Sequence, residues 1–447
     1  MSKKNVMLFL LCSLLIFGYI KLFYKNYNEN TVTKNADGIV VVDVKRIINS
    51  IIWEYITTPS LWKKPSSKPK TDAIIWKDMV VLPDYIFAFH IPNQPINAWY
   101  SVLQIKNEML FNKGIQQQQF IKVDSNLYVS TKLGLQYYKN DNKILVAPLL
   151  VDIKNILSVA NELFLKKQYK SKMDLENIIA KKSHVAAGFY NNIYFKDDAF
   201  FTLNFDKTNV KIEGVITPNK EYLLSEKNFN YNANNLLALG VTQPHNSIYA
   251  LLSNNLKQNI TKAINLNLDS LMLQSNNKYA VNIAGITTKT DSAISYTFDD
   301  DFNKVEKVIV NKVEEPSFNI CIVGDSINNI YNNWVNNKKI EKTNAGLLFT
   351  PIPFAKTYCT IKSINKLELA ANNYKEVEKS SDIKCVCFAN ILFSKIPQSY
   401  INYFPTNIAE VIKKTERMHI VVQKKDEEII IKGTITKKKE QLPFWKM

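Results

Sequence analysis

The sequence predicts an α+β protein with largely antiparallel sheets and packed helices, following one N-terminal transmembrane helix. Strand-like runs outnumber helical ones and come in adjacent pairs, the pattern of hairpins rather than of βαβ crossovers. A single long apolar run stands at the start of the chain. A six-residue echo near the middle and the end hints that the remainder is two duplicated modules.

The apolar run comes first. Lys3 and Lys4 precede Val6–Ile20, an unbroken apolar stretch, and Lys21 and Lys25 follow it. With Lys21 snorkelling to the interface the run reaches spanning length. The exit, Tyr19-Ile-Lys-Leu-Phe-Tyr24, lacks the small-x-small site of a cleaved signal peptide. Cys12 follows Leu11 rather than the small residue that lipidation requires. The expectation is a signal-anchor over 1–25 with the C-terminal body exported, although Lys21 and Lys25 partly cancel the positive-inside bias of Lys3 and Lys4.

Residues 26–37 are polar and Asn-rich and read as a tether. Gly38-Ile-Val-Val-Val42 then reads as a strand running straight into a helix, with Ile47, Ile48, Ile51, Ile52 and Tyr55 at helical spacing and Pro59 as the stop. Strands follow at Tyr85–His90, Ala98–Gln104, Phe120–Val123 and Lys143–Ala147. A helix carries Ile153, Ile156, Leu157, Ala160, Leu163 and Phe164 in one stripe, and a shorter one spans Met173–Ala180. The strand-like runs His184–Tyr190, Ala199–Asn204 and Val210–Thr217 close the first module, 38–235. The second, 236–447, contains strands at Ser247–Leu252, Tyr279–Thr287, Ser292–Thr297 and Val305–Val313, then Lys384–Leu392. A helix near Asn407–Lys414 and the pair His419–Gln423 and Ile429–Thr436 end it. The echo is Ile212-Glu-Gly-Val-Ile-Thr217 against Ile431-Lys-Gly-Thr-Ile-Thr436. Because Ile283-Ala-Gly-Ile-Thr287 nearly matches too, it supports duplication without requiring it.

The formal charge of +17 invites a nucleic-acid reading, which composition excludes. Only Arg46 and Arg417 among 57 basic residues are arginine, and the lysines are spread evenly instead of forming a stripe. Bidentate readers of phosphate and base edges favour arginine. Lysine travels here with Asn, Ile, Tyr and Phe, as in an A/T-rich coding sequence.

Candidate chemistry is sparse. Phe318-Asn-Ile-Cys-Ile-Val-Gly-Asp-Ser326 is an apolar strand ending in Gly324-Asp325-Ser326 and entering a helix; it resembles the nucleophile block of GDSL-type hydrolases. That chemistry needs a histidine base in an Asp-x-x-His block, and none of His90, His184, His245 or His419 has Asp at that spacing. The block also lies too late in the chain, so Asp325 or Ser326 reads as a helix cap. Asp299-Asp300-Asp301 reads as a turn, not a calcium loop, for want of further oxygen ligands. The histidines are scattered and no phosphate loop is present, so no catalytic, cofactor or metal residues are expected. Of the cysteines, Cys385 and Cys387 flank Val386 on one expected strand; buried free thiols are the expected state, with pairing to Cys321 or Cys359 open. Trp99-Tyr100, Tyr137-Tyr138 and Tyr400, Tyr403 and Phe404 are either core or a binding face.

The layout resembles a group of uncharacterised, membrane-anchored or secreted bacterial envelope proteins. Their pattern is an anchor, a strand–helix opening and repeated α+β modules ending in a strand pair with an apolar-x-Gly-x-Ile core. The resembling parts are Gly38–Ile52, Lys143–Thr217 and Lys384–Thr436. The resemblance implies an inner-membrane, periplasm-facing protein without assigned activity. With no coherent acid/base, nucleophile or metal set in the sequence, the expected function is non-catalytic: binding or scaffolding an envelope protein, glycan or lipid. The alternatives are an envelope hydrolase with an atypical site at Gly324-Asp325-Ser326, or a tethered chaperone or carrier for lipid or apolar chains.

Overall fold

In the computed structural model the chain is α+β, and every strand pairing described is antiparallel. The structure describes residues 24–57, 76–190, 195–219, 225–242, 257–259, 261–262, 278–298, 302–325, 327–352, 355–375 and 381–438. The expected anchor, Ser326, His245 and the Asp299–Asp301 run lie outside them. Among the described residues no helix is long and apolar enough to cross a membrane.

The chain divides into two compact units at Thr217/Pro218, earlier than the expected 235/236. The reason is the strand Lys227–Tyr231, which pairs with Ser381–Cys385 of the second unit. No sequence pattern announces that pairing, because its two strands are separated by the rest of the sheet.

The first unit is a sheet in which Gly38–Asp43 is central. It pairs on one side with Tyr85–His90, which leads through Tyr100–Gln104, Lys143–Pro148, Leu135–Asn140 and Leu127–Ser130 to Ile121–Lys122. On the other side come Val185–Phe189, Ala199–Phe205 and Asn209–Ile216. Numbered along the chain, the strands lie in the order 4-5-6-7-3-2-1-8-9-10. Alternate residues such as Ile39, Val41, Phe87 and Phe89 meet the apolar stripe Ile156, Val159 and Leu163, with Leu175 and Ile178 beside them. Asp141-Asn142 closes one hairpin in two residues, Asp141 taking the positive φ that such turns demand.

One expectation fails in this unit. Residues 26–37 are not a slack tether: Val32, Thr33 and Ala36 are buried, Thr33 bridges to Tyr169, and Lys170 N donates to Val32 O. The helix Val44–Thr57 forms, with Asp43 Oδ1 accepting from Arg46 N at 2.8 Å. Its apolar spacing, however, does not mark a core face: Ile48, Ile52, Tyr55 and Ile56 are exposed and Trp53 is 69% exposed.

The second unit has a sheet with the same strand order. Leu237–Thr242 is central. One flank runs through Lys278–Phe298, Lys304–Val323, Lys366–Ala371, Thr357–Ser363 and Gly346–Phe349 to Ile340–Thr343. The other holds Cys387–Leu392, Thr415–Lys425 and Glu428–Lys437. The order is again 4-5-6-7-3-2-1-8-9-10, and both units place a helix between strands 3 and 4 (Glu108–Gln117 and Ile327–Asn336). The two echo segments fall on strand 10 of their respective sheets. The single strand expected over Lys384–Leu392 is two, in different sheets, with a corner at Val386 whose N–H donates to Val422 O.

Strands 2 and 3 of this unit overrun the sheet. Of strand 2 only residues 278–283 pair with Leu237–Thr242, and of strand 3 only residues 319–323 pair with Lys366–Ala371. Beyond a register shift between Ile283 and Gly285, the two strands pair solely with each other as a ribbon out to Phe298 and Lys304. At the rise of an extended strand this arm is about 45 Å long.

Candidate functional site

A polar cleft lies on one face of the second sheet. Strand alternation sends Phe318, Ile322, Leu367 and Leu369 to the opposite face, where they pack with Ile327, Ile330 and Trp334 of the helix. The cleft face is left with three cross-strand rows: Lys278, Val323 and Lys366; Ala280, Cys321 and Glu368; Asn282, Asn319 and Ala370.

The small ribbon Lys227–Tyr231/Ser381–Cys385 covers this face. Its Phe229 and Cys385 pack on Ala238, Ala280 and Phe388. Gly240 makes the approach possible, since a Cβ there would stand 2.3 Å from the Phe388 ring and 2.6 Å from that of Phe229. Between ribbon and sheet a cavity of about 340 Å³ opens, lined by Asn230, Asn232, Asn235, Asn282 and Asn319, with Tyr231 and Tyr374 at its sides.

Its electrostatics are mild. Lys366 pairs with Glu368 at 2.6 Å, and Lys362 lies 3.7 Å from the same carboxylate. Lys278 donates to Asn228 O and lies 4.8 Å from the Phe229 ring; burial lowers its pKa. Burial pushes the Cys321 thiol up, so it stays protonated and is a poor nucleophile. One atom stands out: Asn282 Oδ1 is buried and has no hydrogen-bond partner among the described residues. A buried carbonyl of this kind is costly unless something donates to it. The cleft thus offers amide donors and acceptors and aromatic edges, and no poised acid, base or nucleophile.

The structure scatters the residues singled out from the sequence. Gly324 N donates to Asn365 O at the sheet end, and Asp325 is exposed. The strand carrying His419 is separated from that end by three others, roughly 19 Å. His419 stacks on Tyr231 instead, with its pKa lowered by burial and by Arg417. Trp99 donates to Ile96 O, and Tyr100 and Tyr137 are core, stacked on Phe89 and Tyr128. Tyr403 and Phe404 are exposed. Cys321, Cys359, Cys385 and Cys387 are all free thiols. No group of three or more potential metal ligands occurs among the described residues.

Sequence reading missed a serine–histidine pair in the first unit. Ser50 Oγ lies 2.8 Å from His184 Nε2. The backbone N–H of Phe205 donates to His184 Nδ1 at 3.2 Å, which leaves the proton on Nε2, donating to Ser50. The imidazole therefore cannot accept the serine proton in this arrangement, and burial keeps it neutral. His90 is likewise structural, held by Asp37 Oδ1 at 2.7 Å and Pro95 O at 3.0 Å.

No family model matches the chain, and no curated protein matches it. Among solved structures, crystal form I of TP0453 aligns with a TM-score of 0.26 at 10% identity, covering 44% of this chain and 80% of that one. Similarity at that level carries no argument about fold or activity.

Proposed function

We propose that this is a non-catalytic, membrane-anchored envelope protein, its body facing the periplasm, whose second unit binds a neutral, hydroxyl-rich ligand of the carbohydrate class. The observation that carries the reading is the Asn282 carbonyl oxygen, buried without a donor among the described residues in a cleft lined by five asparagines. Hydroxyl groups both donate and accept, and so satisfy amides that a purely anionic or apolar ligand would leave unpaired. Tyr231 and Tyr374 add aromatic edges at the sides of the cleft for a sugar ring to pack against. The apolar run Val6–Ile20 with its flanking lysines supports the anchor and the compartment. The matching strand orders support descent of both units from one module.

The test is calorimetric titration of the full chain with soluble envelope oligosaccharides, repeated with Asn282→Leu, which keeps the volume and removes the acceptor. Weakening by about tenfold or more is expected. Equal binding by the variant, or no heat with any oligosaccharide, would reject the reading. Reporters fused after residue 37 and at Met447 test the compartment independently, both being expected to score as exported.

One observation favours the tethered-carrier reading instead. Ile52, Trp53 and Ile56, with Asn49 and Ser50, line a largely apolar groove of about 520 Å³ that also holds Lys25 and Arg46, a lining suited to an acyl chain with an anionic head. Transfer of a fluorescent fatty acid to the protein, abolished by Trp53→Asp, would select it.

A further inference from the structure

The arm of the second unit presents a free edge. Residues 304–318 of its outer strand hydrogen-bond to one strand only, and no strand covers their other side among the described residues. Such an edge is a template for further pairing, and proteins ordinarily guard it with charge. Here the charges along the edge are complementary to those of its own copy.

Read from residue 304, the edge is Lys-Val-Glu-Lys-Val-Ile-Val-Asn-Lys-Val-Glu, ending at Glu314. Laid antiparallel on itself about Ile309, Lys304 faces Glu314, Glu306 faces Lys312 and Lys307 faces Asn311. Val305 meets Val313, Val308 meets Val310 and Ile309 meets itself. No like charges oppose one another, and every apolar residue meets an apolar one. Directly opposed residues on antiparallel strands are the pairs that set sheet stability.

The arm's surface is consistent with a missing partner. Val308, Val310 and Ile294 are each 62% exposed, and Ile294 faces Val308 across the ribbon. Glu306, Lys307 and Lys312 make no ion pair among the described residues. Lys304 lies 3.9 Å from the Tyr296 ring centroid, and Glu314 accepts from Ser399 Oγ through one oxygen.

We propose that this edge joins the same edge of a second copy of the chain, antiparallel, about a two-fold axis through Ile309. The two ribbons then form one four-stranded sheet. A closed two-fold contact uses the same patch on both partners, which is what the mirrored charges provide. The proposal is independent of the ligand assigned to the cleft.

The test is sedimentation of the full-length chain across a concentration series. Lys312→Glu and Glu306→Lys each replace two attractive pairs with two repulsive ones. Each is expected to weaken the dimer by about tenfold, and the double exchange is expected to restore it. Oxidative crosslinking fixes the register: Ile309→Cys is expected to give a covalent dimer, and Val305→Cys only when combined with Val313→Cys, with the unmodified chain as the background for native thiols. A chain monomeric up to about 100 μM, a dimer indifferent to both charge reversals, or a double exchange that fails to recover would overturn the proposal.

Discussion

The two units share a strand order and differ most in one hairpin. In the first, strands 2 and 3 are Tyr85–His90 and Tyr100–Gln104, and they stop where their neighbours stop. In the second the equivalent strands run for 21 and 20 residues, and the added length leaves the sheet altogether. The sheet rows that carry the cores are alike in plan, so the core does not need the arm. Arm residues such as Val308 stay largely exposed and join no core of their own unit. Their sequence answers to something other than the unit's own folding, whereas a residue such as Gly240 answers to packing alone.

Glycine substitution sharpens that contrast most. Gly240→Val drives a side chain into the Phe229 and Phe388 rings, and a loss of about 3 kcal/mol is expected in denaturant unfolding. Gly285→Val at the arm root meets nothing within 4 Å, and a change within about 0.5 kcal/mol is expected. Equal effects at both sites would dissolve the distinction between core and arm.

Thiol chemistry probes the second unit next. Burial pushes Cys359 and Cys385 up to about 12. At pH 8 each is then thiolate to only about one part in ten thousand, so alkylation of the folded chain should be negligible at both and complete after unfolding. Rapid labelling of Cys385 while folded would show that the small ribbon lifts from the sheet.

The smallest effect concerns pH and should be common to both units. His184 and His419 are each held below the ordinary histidine range by burial. The unfolded chain takes up protons near pH 6.5 that the folded one resists. Stability is therefore full above that pH and declines as pH falls from 6.5 towards the folded values. His184→Asn should flatten the first unit's share and His419→Asn the second's, read from unfolding midpoints at pH 7 and pH 5. A variant whose slope matches the parent's would assign the acid sensitivity elsewhere.

Much of this architecture was legible because burial imposes period. The stripe residues Ile156, Ala160 and Leu163 and the strand Gly38–Asp43 recur as their neighbours require, and they are where periodicity puts them, although Ile153 of the same stripe is exposed. The arm was legible only in pieces. Thr288-Lys-Thr-Asp291 looks like a break because a ribbon wet on both faces has no burial period to display. The helix Val44–Thr57 is where its spacing puts it, although much of its apolar stripe faces outward. The cleft was invisible, since Asn230, Asn282 and Asn319 converge only through pairings between distant strands. The corner at Val386 was hidden because nothing in a continuous apolar run marks a change of sheet.

The packed segment that precedes the first strand has a mechanical consequence. Lys25 is pinned to Asp43, Asn26 N donates to Asp84, and Thr33 and Asn35 both hold the Glu162 carboxylate. Chain entering at residue 24 is sewn to the first unit almost at once, with no slack to absorb a pull. Whatever residue 24 is fixed to therefore transmits torque and tilt to that unit, as a mast does and a rope does not.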